Sequence, residues 1–361
     1  MTKLFEKLKQ ILPRPIKAVL RPFYHRYKKL ANKVIPQTYA NQLNAEINRF
    51  SQEEEVNDLP DIFHYWSNKY LVPKFQAYGF SNPDEFFFKY AQMAIENCEQ
   101  SKVQILSIGA GNCDTEIKLA KSLASSGHSN FIIQCMDINE AMFQRGMRLA
   151  ETEGVRDHLV FLQADFNHWK AAEKYDLVIA NQSLHHVVEL EHLFDNIKSA
   201  MRKNGKFITS DVIGRNGHMR WPEALDELNK IWHKMPDKYK HNHAFNRHEK
   251  KYINHDCSRE GFEGIRAQDV LPLLVERFEF ELFIPFANLI LIFVDRNFGP
   301  NFSIDDPEDL AFIDNVQKSD EALMADGTIK PTMMLAVMNS DGNVEPNNQH
   351  NILAKNTIRA Y

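Results

Sequence analysis

The sequence predicts an α/β protein on a doubly wound, mostly parallel sheet of seven strands, and two observations predict it. The stretch VQILSIGAG (103–111) is an apolar run that breaks on two glycines, and the next apolar run, FIIQCMD, closes on Asp137. From there, strand-length apolar runs alternate with helix-length segments to about residue 338, the rhythm of βαβ units. Glycines at a strand end let backbone N–H groups approach a ligand, because no Cβ stands in the way. The helix starting near Asp114 turns its positive end to the same place. An acidic residue at the tip of the neighbouring strand accepts hydrogen bonds from ribose hydroxyls. Gly109, Gly111 and Asp137 are thus candidate ligands of a nucleotide-type cofactor.

The elements follow in order. A helix over 83–98 opens on the Asn82-Pro83-Asp84 start signal, behind an aromatic segment, DIFHYWSNKYLVPKFQAYGF, that reads as core cover with Tyr65 and Trp66 near the ligand end. Strands fall at 103–108, 131–136, 159–162 and 175–180, with helices at 114–124 and 139–151. A helix at 190–201 leads to a fifth strand at 205–210. A helix over 221–235 and a polar, His-rich stretch at 236–257 read as an inserted lid. A helix from Asp269, a sixth strand at 278–286, a helix over 305–325 and a closing strand at 332–337 complete the domain; ANLILIFV (287–294) fits either strand or helix.

Of the 361 residues, 43% are hydrophobic and 25% charged, and the net charge of −5 gives no drive toward nucleic acid. That balance conceals a basic arm: residues 1–33 hold ten Lys or Arg against one acid, Glu6, with apolar residues at helical spacing. The pattern suits either an anionic membrane surface or a protein partner. Four dispersed cysteines argue against a disulfide framework, and there is no secretory signal and no membrane-length apolar run, so a cytoplasmic location is expected. The expected organisation is an N-terminal arm (1–58), one domain (59–338) with lid or substrate insertions at about 212–268 and 286–330, and a flexible tail (339–361).

The block YDLVIANQSLHHVVELEHLFDNIKSAMRKNGKFITSD (175–211) has a fourth strand, a loop, a helix and a glycine-turned fifth strand. With the other strand-end motifs it resembles the class I S-adenosylmethionine-dependent methyltransferases, Rossmann-like proteins, over about residues 61–338. The resemblance implies that Gly109 and Gly111 bound the turn under the methionine part of S-adenosyl-L-methionine and that Asp137 holds the ribose. It places Ile138 on the adenine face, Asp165 on the adenine amino group, Phe166 in the ring pocket and Asn181 beneath the sulfonium. Two positions depart from the pattern: Ser107 stands where the family has an acid, and Cys113 replaces a third glycine. Ser107 can still hydrogen-bond the methionine ammonium, with Glu116 as an assisting acid.

His185 and His186, just past strand four, are candidate general bases for a hydroxyl acceptor, and Asp211 after strand five is a candidate base, substrate ligand or turn former. Arg215, His218, Arg220 and Trp221 read as a substrate-recognition loop, with arginines able to grip phosphate or carboxylate. Arg266 is either a further substrate contact or a lid clamp with Asp269, itself a candidate N-cap. The lid residues His241, His243, His248, His255 and Cys257 match no compact metal-site spacing, so no metal is expected. The expected activity is methyl transfer to a small or glycan-like acceptor, such as a sugar or nucleotide-linked polysaccharide precursor. The alternatives are an NAD-dependent sugar oxidoreductase or epimerase, for which no YxxxK pair follows strand four, and a non-catalytic membrane-surface scaffold.

Overall fold

In the computed structural model, the strands are β1 (Val103–Ile108), β2 (Phe131–Asp137), β3 (Leu159–Gln163), β4 (Tyr175–Asn181), β5 (Met201–Val212), β6 (His241–Asn242), β7 (Arg247–His248), β8 (Glu279–Phe286) and β9 (Met333–Asn339). The described residues are 39–51, 59–340 and 353–359, so the basic arm expected at 1–33 lies outside them. The chain divides into two compact units, 1–46 and 47–361. Of the first, the described part is the opening of the helix Tyr39–Ser51. The second carries everything that follows.

Among the described residues one sheet has the order β3-β2-β1-β4-β5-β9-β8, and β6 pairs with β7 in a separate two-stranded hairpin. Pairings from β3 through β5 are parallel, whereas β9 runs antiparallel to both β5 and β8. This is the predicted doubly wound sheet, with the late strand inserted antiparallel. Successive side chains of a strand point to opposite faces, and here both faces are covered. Ile105, Ile133, Ile179 and Ile208 pack into one apolar core, and Leu106, Met136, Val178 and Phe207 into the other. Burial on both faces is why these strands read as continuous apolar runs rather than as alternating ones.

The first core lies under helices Pro83–Glu96, Asp114–Ser125, Pro222–Lys234 and Pro307–Ala325, the second under Leu190–Ala200 and Ala267–Arg277. Helix Pro83–Glu96 starts where the sequence places it. The Asn82 side chain accepts from Glu85 N at 2.9 Å, and Glu85 accepts from Ser81 N at 2.7 Å, so orphan N–H groups on both sides of the start are satisfied. Tyr65 and Trp66 donate to Asp314 and Gln317 at 3.0 and 2.6 Å, which ties the aromatic segment to helix Pro307–Ala325.

One open reading is resolved and two expectations are corrected. The ambiguous ANLILIFV run is helical at Ile290–Val294, because the fully buried Asp320 accepts from Asn288 N and Leu289 N at 2.9 and 2.8 Å and satisfies donors at the helix start. Asp269 is not an N-cap; it lies in the first turn of helix Ala267–Arg277, whose N-cap is Arg266. Residues 353–359 of the expected flexible tail are folded: Ala354 is buried, and Arg359 pairs with Glu223 at 2.7 Å while its guanidinium covers the Trp221 ring at 4.4 Å. No helix among the described residues is long and apolar enough to cross a membrane.

Replacing Asp320 by Ala strands two buried backbone donors. The expected loss is about 2–3 kcal/mol of unfolding free energy, read from the urea midpoint at unchanged slope. A variant as stable as the parent would show that the carboxylate does not hold this helix.

Candidate functional site

The chain leaves β1 toward β2 and β3 on one side and reaches β4 and β5 on the other, so the carboxyl ends of β1 and β4 flank the crevice where such sheets bind ligands. Gly109 turns there at φ +70°, its N–H and that of Ala110 donating to Met136 O at 2.8 and 3.1 Å. A Cβ on Gly109 would stand 2.5 Å from the Ser183 Cβ, so only glycine lets the β1 turn meet the β4 loop. Gly111, at φ +56°, donates to Asp137 Oδ2 at 2.9 Å, and Asn139 N donates to Oδ1 at 2.9 Å. Backbone donors thus fix both carboxylate oxygens, and of the roughly four lone-pair sites a carboxylate offers not all are taken. Burial lifts the Asp137 carboxyl above its usual range.

Cys113, in the place of a third glycine, adopts a left-handed backbone (φ 61°) that costs a non-glycine residue about 1 kcal/mol or more. At the other departure, Ser107 donates to Glu116 Oε1 at 2.5 Å. Glu116 is 2% exposed and its Oε2 has no hydrogen-bond partner. Desolvation pushes this carboxyl up to about 7 despite the Ser107 hydrogen bond. The acid absent from position 107 thus enters the same spot from the first turn of helix Asp114–Ser125.

The remaining cofactor candidates gather around the same strand ends. Ile138 is half-buried and its carbonyl accepts from Gln163 Nε2 at 3.3 Å. Asp165 accepts from Asn167 N at 2.9 Å and lies 2.8 Å from His168 Nδ1, while Phe166 is buried in the second core. The Asn181 side chain reaches Thr115 Oγ1 at 3.2 Å, bridging β4 to helix Asp114–Ser125.

Beyond β4 a short 3-10 turn, Leu184–His186, carries both candidate bases. Asp211 shapes it. Fully buried at the end of β5, its carboxylate accepts from Ser183 N and Leu184 N at 2.9 and 2.8 Å and lies 2.7 Å from His185 Nδ1. Of the three expected roles of Asp211, these contacts fit the turn former: it holds the loop and fixes His185 Nδ1, leaving Nε2 for another partner. That Nε2 faces Glu263 Oε1 at 3.5 Å, His218 Nε2 lies 2.7 Å from the same oxygen, and His186 Nε2 lies 3.9 Å from Glu263 Oε2. The edge of the Phe50 ring meets His186, centroids 6.0 Å apart.

Three imidazoles thus converge on one carboxylate. Burial opposes a charge on His185, yet Asp211 and Glu263 on its two nitrogens push its pKa up to about 10. Burial would also raise Glu263, but hydrogen bonds from His185 and His218 hold it well below the usual carboxylate range. Desolvation keeps His218 below the ordinary imidazole value, against the pull of Glu263.

Sequence reasoning missed Glu263. Its signal is the pair of glycines around it: Gly261 and Gly264 both have positive φ, 128° and 64°. Gly217 N donates to Gly264 O at 2.8 Å, and a Cβ on Gly264 would lie 3.0 Å from Gly217 N. This backbone contact seats His218 against Glu263. Of the substrate candidates, His218 therefore joins the cluster, whereas the other four sit in structural contacts. Arg220 is 6% exposed and donates to His218 O and Asn288 O, both at 3.1 Å. Arg215 donates to Arg220 O at 3.2 Å and lies over the Trp221 ring, whose centroid is 5.4 Å from its guanidinium. Arg266 grips Glu191 with two nitrogens at 2.6 and 2.8 Å and Asp269 with a third, the lid clamp rather than a substrate contact. Among the described residues, the lid histidines 241, 243, 248 and 255 form no cluster of metal-ligand geometry.

A family model described as "Methyltransferase domain" matches residues 99–274, just under half of the chain. A ubiquinone biosynthesis O-methyltransferase of Rickettsia canadensis is 24% identical over 160 residues, 44% of this chain and 63% of that protein. A ubiquinone/menaquinone biosynthesis C-methyltransferase of Blochmanniella pennsylvanica is 20% identical over 162 residues, 44% and 60%. The chain thus spans about three fifths of these relatives. Among solved structures, an O-methyltransferase from a trans-AT polyketide synthase multienzyme of Brevibacillus brevis, in complex with S-adenosyl-L-homocysteine, is 12% identical over 80% of this chain and 85% of that one, TM-score 0.43. An S-adenosylmethionine-dependent methyltransferase of Geobacter sulfurreducens, also in complex with S-adenosyl-L-homocysteine, gives 11%, 70%, 90% and 0.36.

The raised Glu116 pKa fixes a pH dependence. Between the unfolded value of about 4.5 and the folded value of about 7 the native state binds the extra proton, so stability falls as pH rises through that window and levels off above it. Urea titrations at pH 5 and pH 8 should show the parent losing on the order of 3 kcal/mol more than Glu116→Gln across that interval. Equal losses in both proteins would place the Glu116 carboxyl in an ordinary environment.

Proposed function

We propose, from a chain whose residues 99–274 match a methyltransferase-domain model, that the protein is a class I S-adenosylmethionine-dependent methyltransferase and transfers the methyl group of S-adenosyl-L-methionine to a hydroxyl of a small acceptor. The single observation that carries the reading is a carboxylate-backed imidazole cluster, with His185 and His186 on the loop after β4 and Glu263 reaching them from the lid, near the glycine turn and Asp137 at the ends of β1 and β2.

The residues present fit the cofactor. The cradle at Gly109 admits no Cβ, Asp137 keeps lone-pair capacity for the ribose, and the orphaned Glu116 Oε2 with Ser107 forms an acidic spot suited to an ammonium. Ile138, Asp165 and Phe166 would take the adenine. Bound there, the cofactor supplies an electrophilic methyl group on a sulfonium. The protein contributes alignment of an acceptor lone pair and, for a hydroxyl, a place for its proton. Asp211 anchors His185 Nδ1, so His185 Nε2 and His186 Nε2 both face Glu263. His186 and Glu263, the more accessible members, would take the acceptor proton.

An oxygen acceptor is favoured because nitrogen needs no base of this kind. The named activities of the two curated relatives, O- and C-methylation in ubiquinone biosynthesis, make phenols and quinols one acceptor set to test. Sugars and nucleotide-linked sugars form the other. The geometry of Arg220 and Arg266 weakens the argument for them, since both guanidinium groups brace the lid.

Calorimetric titration with S-adenosyl-L-homocysteine and with NAD, followed by turnover against both acceptor sets, tests the reading. Asp137→Ala should abolish S-adenosyl-L-homocysteine binding, and His186→Ala should keep it while lowering kcat roughly a hundredfold or more. Binding of NAD alone would overturn the methyltransferase reading. Full turnover in His186→Ala and in a His185/His186 double variant would overturn the hydroxyl acceptor.

A further inference from the structure

We propose that His185 Nε2, His186 Nε2 and a carboxylate oxygen of Glu263 form a binding site for one divalent first-row transition metal ion. The three side chains offer ligand atoms that all lie within 4.8 Å of one another, and among the described residues no other His, Cys, Asp or Glu group reaches that geometry. Two measured separations are 3.5 Å, His185 to Glu263, and 3.9 Å, His186 to Glu263. Ligands at ~2.0–2.2 Å from a common ion stand ~3–3.5 Å apart, so the three groups would draw together around the ion.

The surroundings have the form that metal sites need. A ligating imidazole is normally oriented by a carboxylate on its other nitrogen, and Asp211, fully buried and 2.7 Å from His185 Nδ1, is such a partner. Without a metal the Nε2 proton of His185 bridges to Glu263 Oε1; once that proton leaves, the Nε2 lone pair faces the carboxylate oxygen, and a metal cation can take the proton's place between them. His218 supports the third ligand in the same way from 2.7 Å, and the Gly217–Gly264 backbone contact holds that support in place. Two imidazoles and one carboxylate favour zinc, iron, cobalt or manganese over magnesium or calcium, which prefer all-oxygen sets.

With three protein ligands among the described residues, two of them partly accessible (side chains 16% and 21% exposed for His186 and Glu263), the ion would keep open positions. That is the pattern of a catalytic rather than a structural site. Resting on the hydroxyl-acceptor reading, the role follows: an acceptor oxygen on an open position would be acidified by the ion and its proton would pass to water, with His186 and Glu263 acting as ligands in the loaded site and as proton acceptors only in the metal-free one. The ion would also select acceptors with a second oxygen placed to chelate.

The full chain, stripped with chelator and dialysed against zinc or cobalt, is assayed by elemental analysis and by the visible d–d absorption of cobalt, without cofactor or acceptor. The expected result is one ion per chain. Glu263→Gln and His186→Ala should each lose it, and Asp211→Asn should weaken it about 10–100-fold, with thermal melting curves confirming that each variant folds. His241→Ala in the lid should bind as the parent does. Substoichiometric uptake, or uptake unchanged by Glu263→Gln, would overturn the proposal. Because the readout is binding, failure to take up an ion would reject the site and leave the methyltransferase reading standing; a metal-free protein that still turns over would reject the ion's catalytic role; and a metal-loaded protein that binds no S-adenosyl-L-homocysteine would keep the site and reject the methyltransferase reading.

Discussion

One buried carboxylate holds the working end of this sheet together. Asp211 ends β5 with no exposure to solvent, and an ion so placed is costly unless its lone pairs are used. They are: two backbone N–H groups of the β4 loop and one imidazole nitrogen converge on it. The loop after β4 is therefore not free to choose its path. Its shape fixes where Ser183 sits, and Ser183 Oγ donates to Ile108 O at 2.8 Å, which ties the same loop to the end of β1. Three strand ends, β1, β4 and β5, are joined by that one arrangement.

At the end of β1 a carboxyl is supplied from an unexpected element. A carboxylate contributed by β1 would be held in the strand; here a serine occupies that place and Glu116 comes from the helix across the turn. The carboxyl is fully buried and one oxygen has no partner, so it favours its neutral form until a cation arrives. Cys113, in a left-handed conformation with its side chain in the core, is a second local compromise. Strained residues persist where surrounding structure over-determines them, and functional turns are where they concentrate.

The lid is built from clamps. Arg266 with Glu191 and Asp269, Arg220 with backbone carbonyls, and Arg359 with Glu223 over Trp221 use their guanidinium groups inside the fold. Guanidinium forks suit such bidentate and stacked contacts. The consequence is that the site's character comes from imidazole and carboxylate, not from arginine. Two glycines, 217 and 264, allow the lid loops to touch backbone to backbone and set His218 and Glu263 within 2.7 Å.

The sequence by itself determined the sheet, its helices and the glycine turn beside Asp137, because each is written locally: apolar runs, paired glycines, an acid at a strand end, an Asn cap before a helix. Those signals span a few residues each and need no distant partner to be read. What only the tertiary structure decided lies in pairs far apart in the chain. Asp320 turned an ambiguous apolar run into a helix by accepting two donors 31 and 32 residues away. Asp211 fits a turn former because the β4 loop closes over it. Arg220 and Arg266 became braces because carbonyls and carboxylates elsewhere in the chain reach them first. Glu263 gave no periodic signal at all, being one acid in a loop, and joined His185 from 78 positions away at 3.5 Å. Local preferences depend on neighbouring residues alone, whereas the charge, burial and partner of a side chain depend on which distant segments the fold brings against it.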